Sequence, residues 1–451
     1  MARLALSLFL FIILVPACAQ TYTWTKLISA PYNGGKQDDI YFVNPDTGWS
    51  INGSGKIYRT YDGGATWTNL LTQTGTYFRC VGFISSTTGF AGNVGTDYYP
   101  GVTDTVPFYK TTDGGATWIP VSYTGPVVKG LCAINTVATP FINAGILDTN
   151  YTIYAAGRVG SPAFLLKSTD NGNTWISKDL SAYISMITDV KFISKDTGFL
   201  FGGTNGDIAS SSARIIYTTD GGNTFTTVYQ SARSFEMIWK AHFPTRNTGY
   251  ATILNFGTAT TQRYIAKTTD GGLTWSELPL ANNSCQEFGI GFLNDQVGWV
   301  GTDGTGFQTI DGGATWTPAS IGQYANKIRL IPAPDGVVGY AIGLNVYKLH
   351  YLYPAAVESP ANENTTLSAL KAFPNPTSGY VTLRYTLCER QKVTLEVYDL
   401  AGRKLDTITT ETQDTGEKNI TYSFKNIPPG IACFVLHTKS GQSKIQVSLQ
   451  P

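Results

Sequence analysis

An all-β fold, built by stacking one small unit many times, is predicted by three observations. The first is an eight-residue stretch, Ser/Thr-x-Asp-x-Gly-x-Thr-Trp, found at 60–67, 111–118, 168–175, 218–225, 268–275 and 309–316, with Phe225 replacing Trp in the fourth copy. Its aspartates are 51, 57, 50, 50 and 41 residues apart, the spacing of a supersecondary unit whose copies bury a shared core. The second is a Phe-x5-Gly-aromatic pattern starting at Phe42, Phe83, Phe192, Phe243 and Phe292, with a weaker copy from Leu330 to Tyr340. The third is composition: 14% charged residues, 13% aromatics and 48 glycines in 451 residues suit short strands joined by glycine-rich turns.

The eight residues have the chemistry of a tight turn between strands. The carboxylates of Asp62, Asp113, Asp170, Asp220, Asp270 and Asp311 are expected to accept from backbone N–H groups two or three residues on. The second glycine of each copy allows a positive φ, and the tryptophan opens the next strand and buries its ring. No copy holds a second carboxylate, so a calcium ligand set is lacking and the aspartates are read as structural. These copies resemble the aspartate boxes, or BNR repeats, of sialidase-type β-propellers. With the Phe-x5-Gly-aromatic pattern they resemble the seven-bladed propellers of the photosystem II assembly-factor family, over residues 22–350. The resemblance implies seven blades of four antiparallel strands.

In blade one the strands are expected at 40–43, 49–51, 56–59 and 66–70. Blade three is irregular, with strands at 128–134 and 151–156 around a longer insertion. Blade seven runs out at 345–349 with no turn after it, whereas 22–27 resembles the outer strand 65–70. The N-terminal segment should therefore complete blade seven and close the ring, which removes an exposed sheet edge.

Residues 1–19 read as a signal peptide: Arg3, an apolar run over 4–15, and Ala17-Cys18-Ala19 before cleavage between Ala19 and Gln20. The run is too short to span a bilayer, and Pro16 makes a lipoprotein box at Cys18 a poor match. Five cysteines then remain (Cys80, Cys132, Cys285, Cys388, Cys433). Their odd number and irregular spacing predict buried thiols rather than a disulfide framework. Three scattered histidines give no metal site. The propeller is placed at 20–350, a linker rich in Ala, Pro, Asn, Glu and Thr at 351–366, and a second domain at 367–451.

Period-two alternation at 381–385 and 393–398 and two more strands at 431–436 and 444–449, with turns at Asn375-Pro376, Ala401-Gly402 and Pro428-Pro429-Gly430, predict a small Ig-like antiparallel β-sandwich. The motifs Phe373-Pro374-Asn375-Pro376-Thr377-Ser378-Gly379, Val397-Tyr398-Asp399-Leu400-Ala401-Gly402-Arg403 and Gly430…Gly441…Lys444 resemble the type A C-terminal sorting domain of the Bacteroidetes type IX secretion system. Ile431 stands where that family has Tyr or Phe. The resemblance implies the type IX machinery as a partner and the bacterial surface or medium as the destination.

A net charge of +1 carries no nucleic-acid or membrane footprint, and no transmembrane segment is expected once the signal is removed. Two functional classes stay open, because the fold decides neither. One is a non-enzymatic binding or assembly module for protein or glycan, without cofactor. The other is a sialidase-like or endoglucanase-like glycoside hydrolase. The Arg-Ile-Pro motif of sialidases is absent. A glycosidase needs two carboxyl groups flanking one bond, and nothing in the sequence pairs Asp38, Asp39, Asp189 and Glu287, so no catalytic residue is assigned. Loops before the inner strands would gather a ligand face of Asp38, Asp39, Arg79, Lys129, Asp189, an exposed Trp239, Lys240, Glu287, Lys327 and Arg329; its mixed charge suits protein or sugar. A second row, Arg59, Lys110, Lys167, Lys267 and Lys348, sits just before each turn, with Tyr217 and Gln308 at the two other positions. It is read either as stems covering the sheet with heads in water or as a docking surface for acidic polysaccharide.

Overall fold

A computed structural model describes residues 22–352 apart from 33, 144–145 and 334–335, and residues 370–449 apart from 378, 399–403, 425–429 and 440. The expected signal peptide with Cys18, Ala19 and Gln20, most of the linker, and the turns at Ala401-Gly402 and Pro428-Pro429 lie outside the described residues.

Residues 22–352 form seven four-stranded antiparallel sheets. Their innermost strands are Gln37–Phe42, Phe78–Phe83, Ala133–Asn143, Met186–Phe192, Glu236–His242, Glu287–Phe292 and Lys327–Ala333. Each packs on the next and the seventh packs on the first, so the ring is a closed seven-bladed propeller. Blade seven takes its outer strand from the other end of the chain: Trp24–Lys26 runs antiparallel to Val346–Leu352, with Trp24 opposite Leu349. Trp24 packs edge-on against Trp299 of blade six, ring centroids 5.3 Å apart.

The six turns share one carboxylate-centred hydrogen-bond set, to which the five tryptophan copies add an indole bond. In the first, Asp62 Oδ1 accepts from the Thr60 hydroxyl at 2.8 Å and Thr66 N at 2.8 Å, and Oδ2 accepts from the Thr66 hydroxyl at 2.6 Å. Gly64 N donates to Thr60 Oγ1 at 2.9 Å, and the Trp67 indole N–H donates to Gly64 O at 3.1 Å. The carboxylate thus reaches four residues on, further than expected, because both glycines adopt positive φ (64° at Gly63, 88° at Gly64) and curl the chain around it. The threonine hydroxyl and N–H hold Asp62, Asp113, Asp270 and Asp311 at about 2. A carboxyl depressed in the folded state contributes stability above its unfolded pKa, lost as pH falls through the folded value. Melting temperature is therefore expected to be flat at neutral pH and to fall between about pH 4 and pH 2. Asp311→Asn should lower the plateau and reduce the acid-dependent drop; an unchanged profile would contradict the assignment.

The Phe-x5-Gly-aromatic pattern is a seam between blades. Phe42 lies opposite Gly48 across its hairpin, with its ring where a Cβ would stand, 2.5 Å away; Phe83, Phe192, Phe243 and Phe292 cover their glycines likewise. The aromatic after the glycine then stacks on the Phe of the following blade: Trp49 on Phe83 at 3.5 Å, Tyr250 on Phe292 at 3.5 Å, and Tyr340 of blade seven on Phe42 at 4.0 Å. Tyr154 stacks on Phe192 at 3.4 Å.

The basic row belongs to the same seams, which gives it a role that neither reading named. Lys348 Nζ donates to Gly63 O (2.8 Å), Arg59 to Gly114 O (3.0 Å), Lys110 to Gly172 O (2.9 Å), Lys167 to Gly221 O (2.8 Å) and Lys267 to Gly312 O (2.7 Å). Each acceptor is a glycine carbonyl in the next blade's turn. The positive-φ glycines turn these carbonyls toward the preceding blade, and a charged donor satisfies them. Each head is thus held by a carbonyl rather than left wholly to water, and all five residues stay partly exposed. At the position of Gln308 the following blade has no turn to receive a cation.

Blade three also differs from expectation. Its inner strands, Ala133–Asn143 and Ile146–Gly157, form one unbroken hairpin paired from Ala133↔Ala156 to Asn143↔Ile146. The insertion is an extension of both strands, and Val128 precedes the sheet. Cys80 and Cys132 are buried as expected, Cys285 and Cys433 partly so, and Cys388 is exposed.

Residues 370–449 form a three-stranded sheet (Lys371–Phe373, Tyr380–Leu387, Gly416–Ser423) and a four-stranded one (Lys404–Gln413, Gln391–Tyr398, Gly430–Thr438, Gly441–Leu449). Alternate residues of Tyr380–Leu387 are buried, and Val381, Leu383, Leu395, Phe434 and Val447 share one core. The strand Lys404–Gln413 was not legible in the sequence because it is mostly exposed and threonine-rich.

Candidate functional site

In an antiparallel blade the loops alternate between two faces. The eight-residue turns lie on one face; the loops that enter each inner strand lie on the other. A β-bulge interrupts the inner strand near its start in five of the seven blades, between Gln37 and Asp39, Phe78 and Cys80, Ile187 and Asp189, Ile238 and Ala241, and Glu287 and Ile290. A bulge re-aims side chains, and here it turns polar residues toward the ring axis in two layers.

The upper layer is a plug. Asp38 Oδ1 accepts from Arg79 at 2.5 Å and from the Tyr77 hydroxyl at 3.3 Å. The Arg79 guanidinium lies 4.9 Å from the Trp239 ring. The Trp239 indole N–H donates to Asn326 Oδ1 at 2.8 Å, and Asn326 Nδ2 donates to Asp38 O at 2.8 Å. Blades one, two, five and seven are thereby tied across the axis. Trp239, expected to be exposed, is 6% exposed, because its ring is the cover on which Arg79, Lys36 and Lys240 sit. Burial, with Arg79 beside it, lowers Lys36 to about 8.

Above the plug is a cavity of about 390 Å3 lined by Lys36, Tyr77, Arg79, Tyr98, Tyr99 and Trp239. Tyr98 and Tyr99 sit on the loop after Gly89–Asn93, which Asp97 pins to Arg158 of blade three. Six aromatics are exposed in the loops of this face, Tyr32, Tyr98, Tyr99, Phe235, Phe256 and Tyr324.

The lower layer is charged. Asp39 accepts from Arg329 at 3.2 Å and from Val81 N at 3.1 Å. Asp189 accepts from Ala241 N at 3.0 Å and faces Lys327 Nζ at 3.4 Å. Lys240 Nζ donates to Thr188 O at 2.6 Å, and burial lowers it to about 7. His242 Nδ1 accepts from Phe292 N at 3.2 Å.

Of the sequence-derived face, Asp38, Asp39, Arg79, Asp189, Trp239, Lys240, Lys327 and Arg329 line the axis in these two layers. Lys129 is exposed, and the side chain of Glu287 is outside the described residues. Sequence reasoning missed Lys36, Tyr77 and Asn326 in the plug and Lys191 and His242 below. Counting back from the motif would have found one of them: Asn326 stands four positions before Leu330, as Asp38, Arg79, Thr188, Trp239 and Phe288 stand four before each motif phenylalanine. Among the described residues no group of three or more His, Cys, Asp or Glu could hold a metal, and no helix is long and apolar enough to cross a membrane.

Fold and tail define an all-β propeller that carries a sorting signal: residues 371–449 match the family of secretion system C-terminal sorting domains. Solved structures similar to the chain include YCF48 from Cyanidioschyzon merolae (TM-score 0.50, 15% identity, covering 73% of this chain and 99% of that one). Others are YCF48 bound to D1 peptide (TM-score 0.49, 17% identity, 74% and 96%) and the GH74 xyloglucanase of Xanthomonas campestris (TM-score 0.50, 12% identity, 96% and 76%). At such identities the likeness is one of fold. No curated protein matches the sequence.

Proposed function

We propose that the chain is an exported, non-enzymatic binding module that takes a protein or glycan ligand at the aromatic-rimmed mouth above Arg79 and Trp239. The observation that carries this reading is the cavity itself, with two exposed tyrosines over a cation–aromatic floor, since aromatic and arginine anchors dominate recognition of both ligand classes. The described axial carboxylates favour it over hydrolysis: Asp38, Asp39 and Asp189 each face a basic partner, whereas a glycosidase keeps two open to one sugar bond. The six repeated turns act as aspartate boxes of the BNR type, structural rather than catalytic. Peptide and glycan arrays probed with the full chain should give a ligand whose affinity falls roughly tenfold in Tyr99→Ala. Glycoside turnover abolished by Asp39→Asn would replace this reading with the enzymatic one.

In the same proposal residues 1–19 are a cleaved signal peptide, 20–350 the working propeller, 351–366 a linker and 367–451 an address read by the type IX machinery and then removed, leaving the propeller at the surface or in the medium. Support comes from the sorting-domain match and from a tail whose core is its own. Deleting 367–451 in the native host should leave folded propeller in the periplasm; normal surface or medium levels would refute the sorting role.

A further inference from the structure

We infer that the lower layer of the axis is a binding site for a divalent oxyanion, a phosphate or sulfate group, entered from the face opposite the aromatic mouth. The inference is independent of the ligand proposed for that mouth. Four cations converge here, Lys191, Lys240, Lys327 and Arg329, against two carboxylates, Asp39 and Asp189. The two carboxylates are already engaged, Asp39 by Arg329 and Val81 N, Asp189 by Lys327 and Ala241 N. Lys240, lowered to about 7, is only partly charged at neutral pH, so between one and two positive charges are left over on the axis, beside Lys191 and Arg329 that keep only partial exposure, where charges are ordinarily paired.

Lys191 shows the imbalance most directly. It faces Arg329 and Lys327 as well as Asp189, and its ammonium has no hydrogen-bond or ion-pair partner among the described residues. The positive field also registers on His242, whose imidazole is held down at about 3 by burial and then by Lys191, Arg329 and Lys327. Low-dielectric walls lined by one sign of charge focus such a field and concentrate counter-ions. An oxyanion of charge −2 favours the charged form of Lys240 and then balances the excess, and its several oxygens suit ammonium and guanidinium donors together.

The geometry also sets the direction of entry. On the mouth side the plug of Asp38, Arg79, Trp239 and Asn326 is buried throughout. Toward the other end, Tyr41, Lys191, His242 and Arg329 keep partial exposure, and the Arg329 side chain is 25% exposed. A ligand reaches the cations from the face that carries the eight-residue turns.

The test uses the full chain with inorganic phosphate and inorganic sulfate, compared with chloride at matched ionic strength and neutral pH. Saturable binding by calorimetry and a rise in melting temperature beyond that in chloride are expected. Lys191→Gln breaks no contact in the structure and relieves like-charge repulsion. It should therefore melt at or above the parent temperature without oxyanion, yet bind phosphate roughly tenfold more weakly. Glucose 6-phosphate and glucose 6-sulfate separate the sources: tighter binding of the esters identifies a group carried on a saccharide, and binding of the free ions alone identifies the ion itself. Stabilisation no greater than chloride gives, or an oxyanion affinity unchanged in Lys191→Gln, would overturn the site.

Discussion

Removal of residues 22–27 is expected to be the most damaging small deletion in the propeller. It takes away the outer strand of blade seven and, with Trp24, the ring packed 5.3 Å from Trp299. Truncating a buried tryptophan alone costs about 3–5 kcal/mol. The deletion additionally exposes the backbone edge of Val346–Leu352, a template for pairing with other chains. The expected product has a lowered melting temperature and self-associates in a concentration-dependent way. Trp24→Ala should reproduce the loss of stability without the association, because the strand backbone remains. A monomeric deletion variant melting like the parent would show that the ring does not depend on this closure.

The second large effect is expected at the seam between blades three and four. Phe192→Ala removes the ring stacked 3.4 Å from Tyr154 and vacates the space over Gly198, for an expected loss of about 3–5 kcal/mol. Gly198→Ala should also destabilise, since its Cβ would stand 2.4 Å from the Phe192 ring. In a Phe192→Ala background the same glycine change should cost little. The two changes are thus expected to be strongly non-additive, as directly contacting residues are. Additive losses in denaturant unfolding would mean that the ring and the glycine do not share that space.

Seven blades and the identity of the closing strand were legible because both depend on spacing: a turn repeated six times, missing once, with an orphan Thr-Trp strand to supply the deficit. The basic row was legible as a row but not in its role. Lys110 and Gly172 are far apart in sequence, and although Gly172 lies in the repeated turn, nothing in its residue type says that its carbonyl accepts a hydrogen bond from a cation of the preceding blade. Trp239 was misplaced for a related reason. A residue just inside a loop reads as exposed, whereas the bulge between Ile238 and Ala241 turns it onto the axis beneath Arg79 and Lys36. The aromatic mouth drew on Tyr98 and Tyr99, from a loop that shares nothing with the repeat, so periodicity could not point to it.

The pairing of Trp24 with Leu349 has a bearing on time as well as shape. Every other blade is finished from one continuous stretch of chain, but the first-made strand must wait for the last-made blade before it finds its place. Closing so long a loop gains little until the late contacts exist. A chain that emerges from its N-terminus onward therefore stays an open arc of blades until residues 346–352 are present. The latch engages only when the propeller is whole, with the sorting tail next to follow, so an incomplete chain cannot present itself as a finished ring.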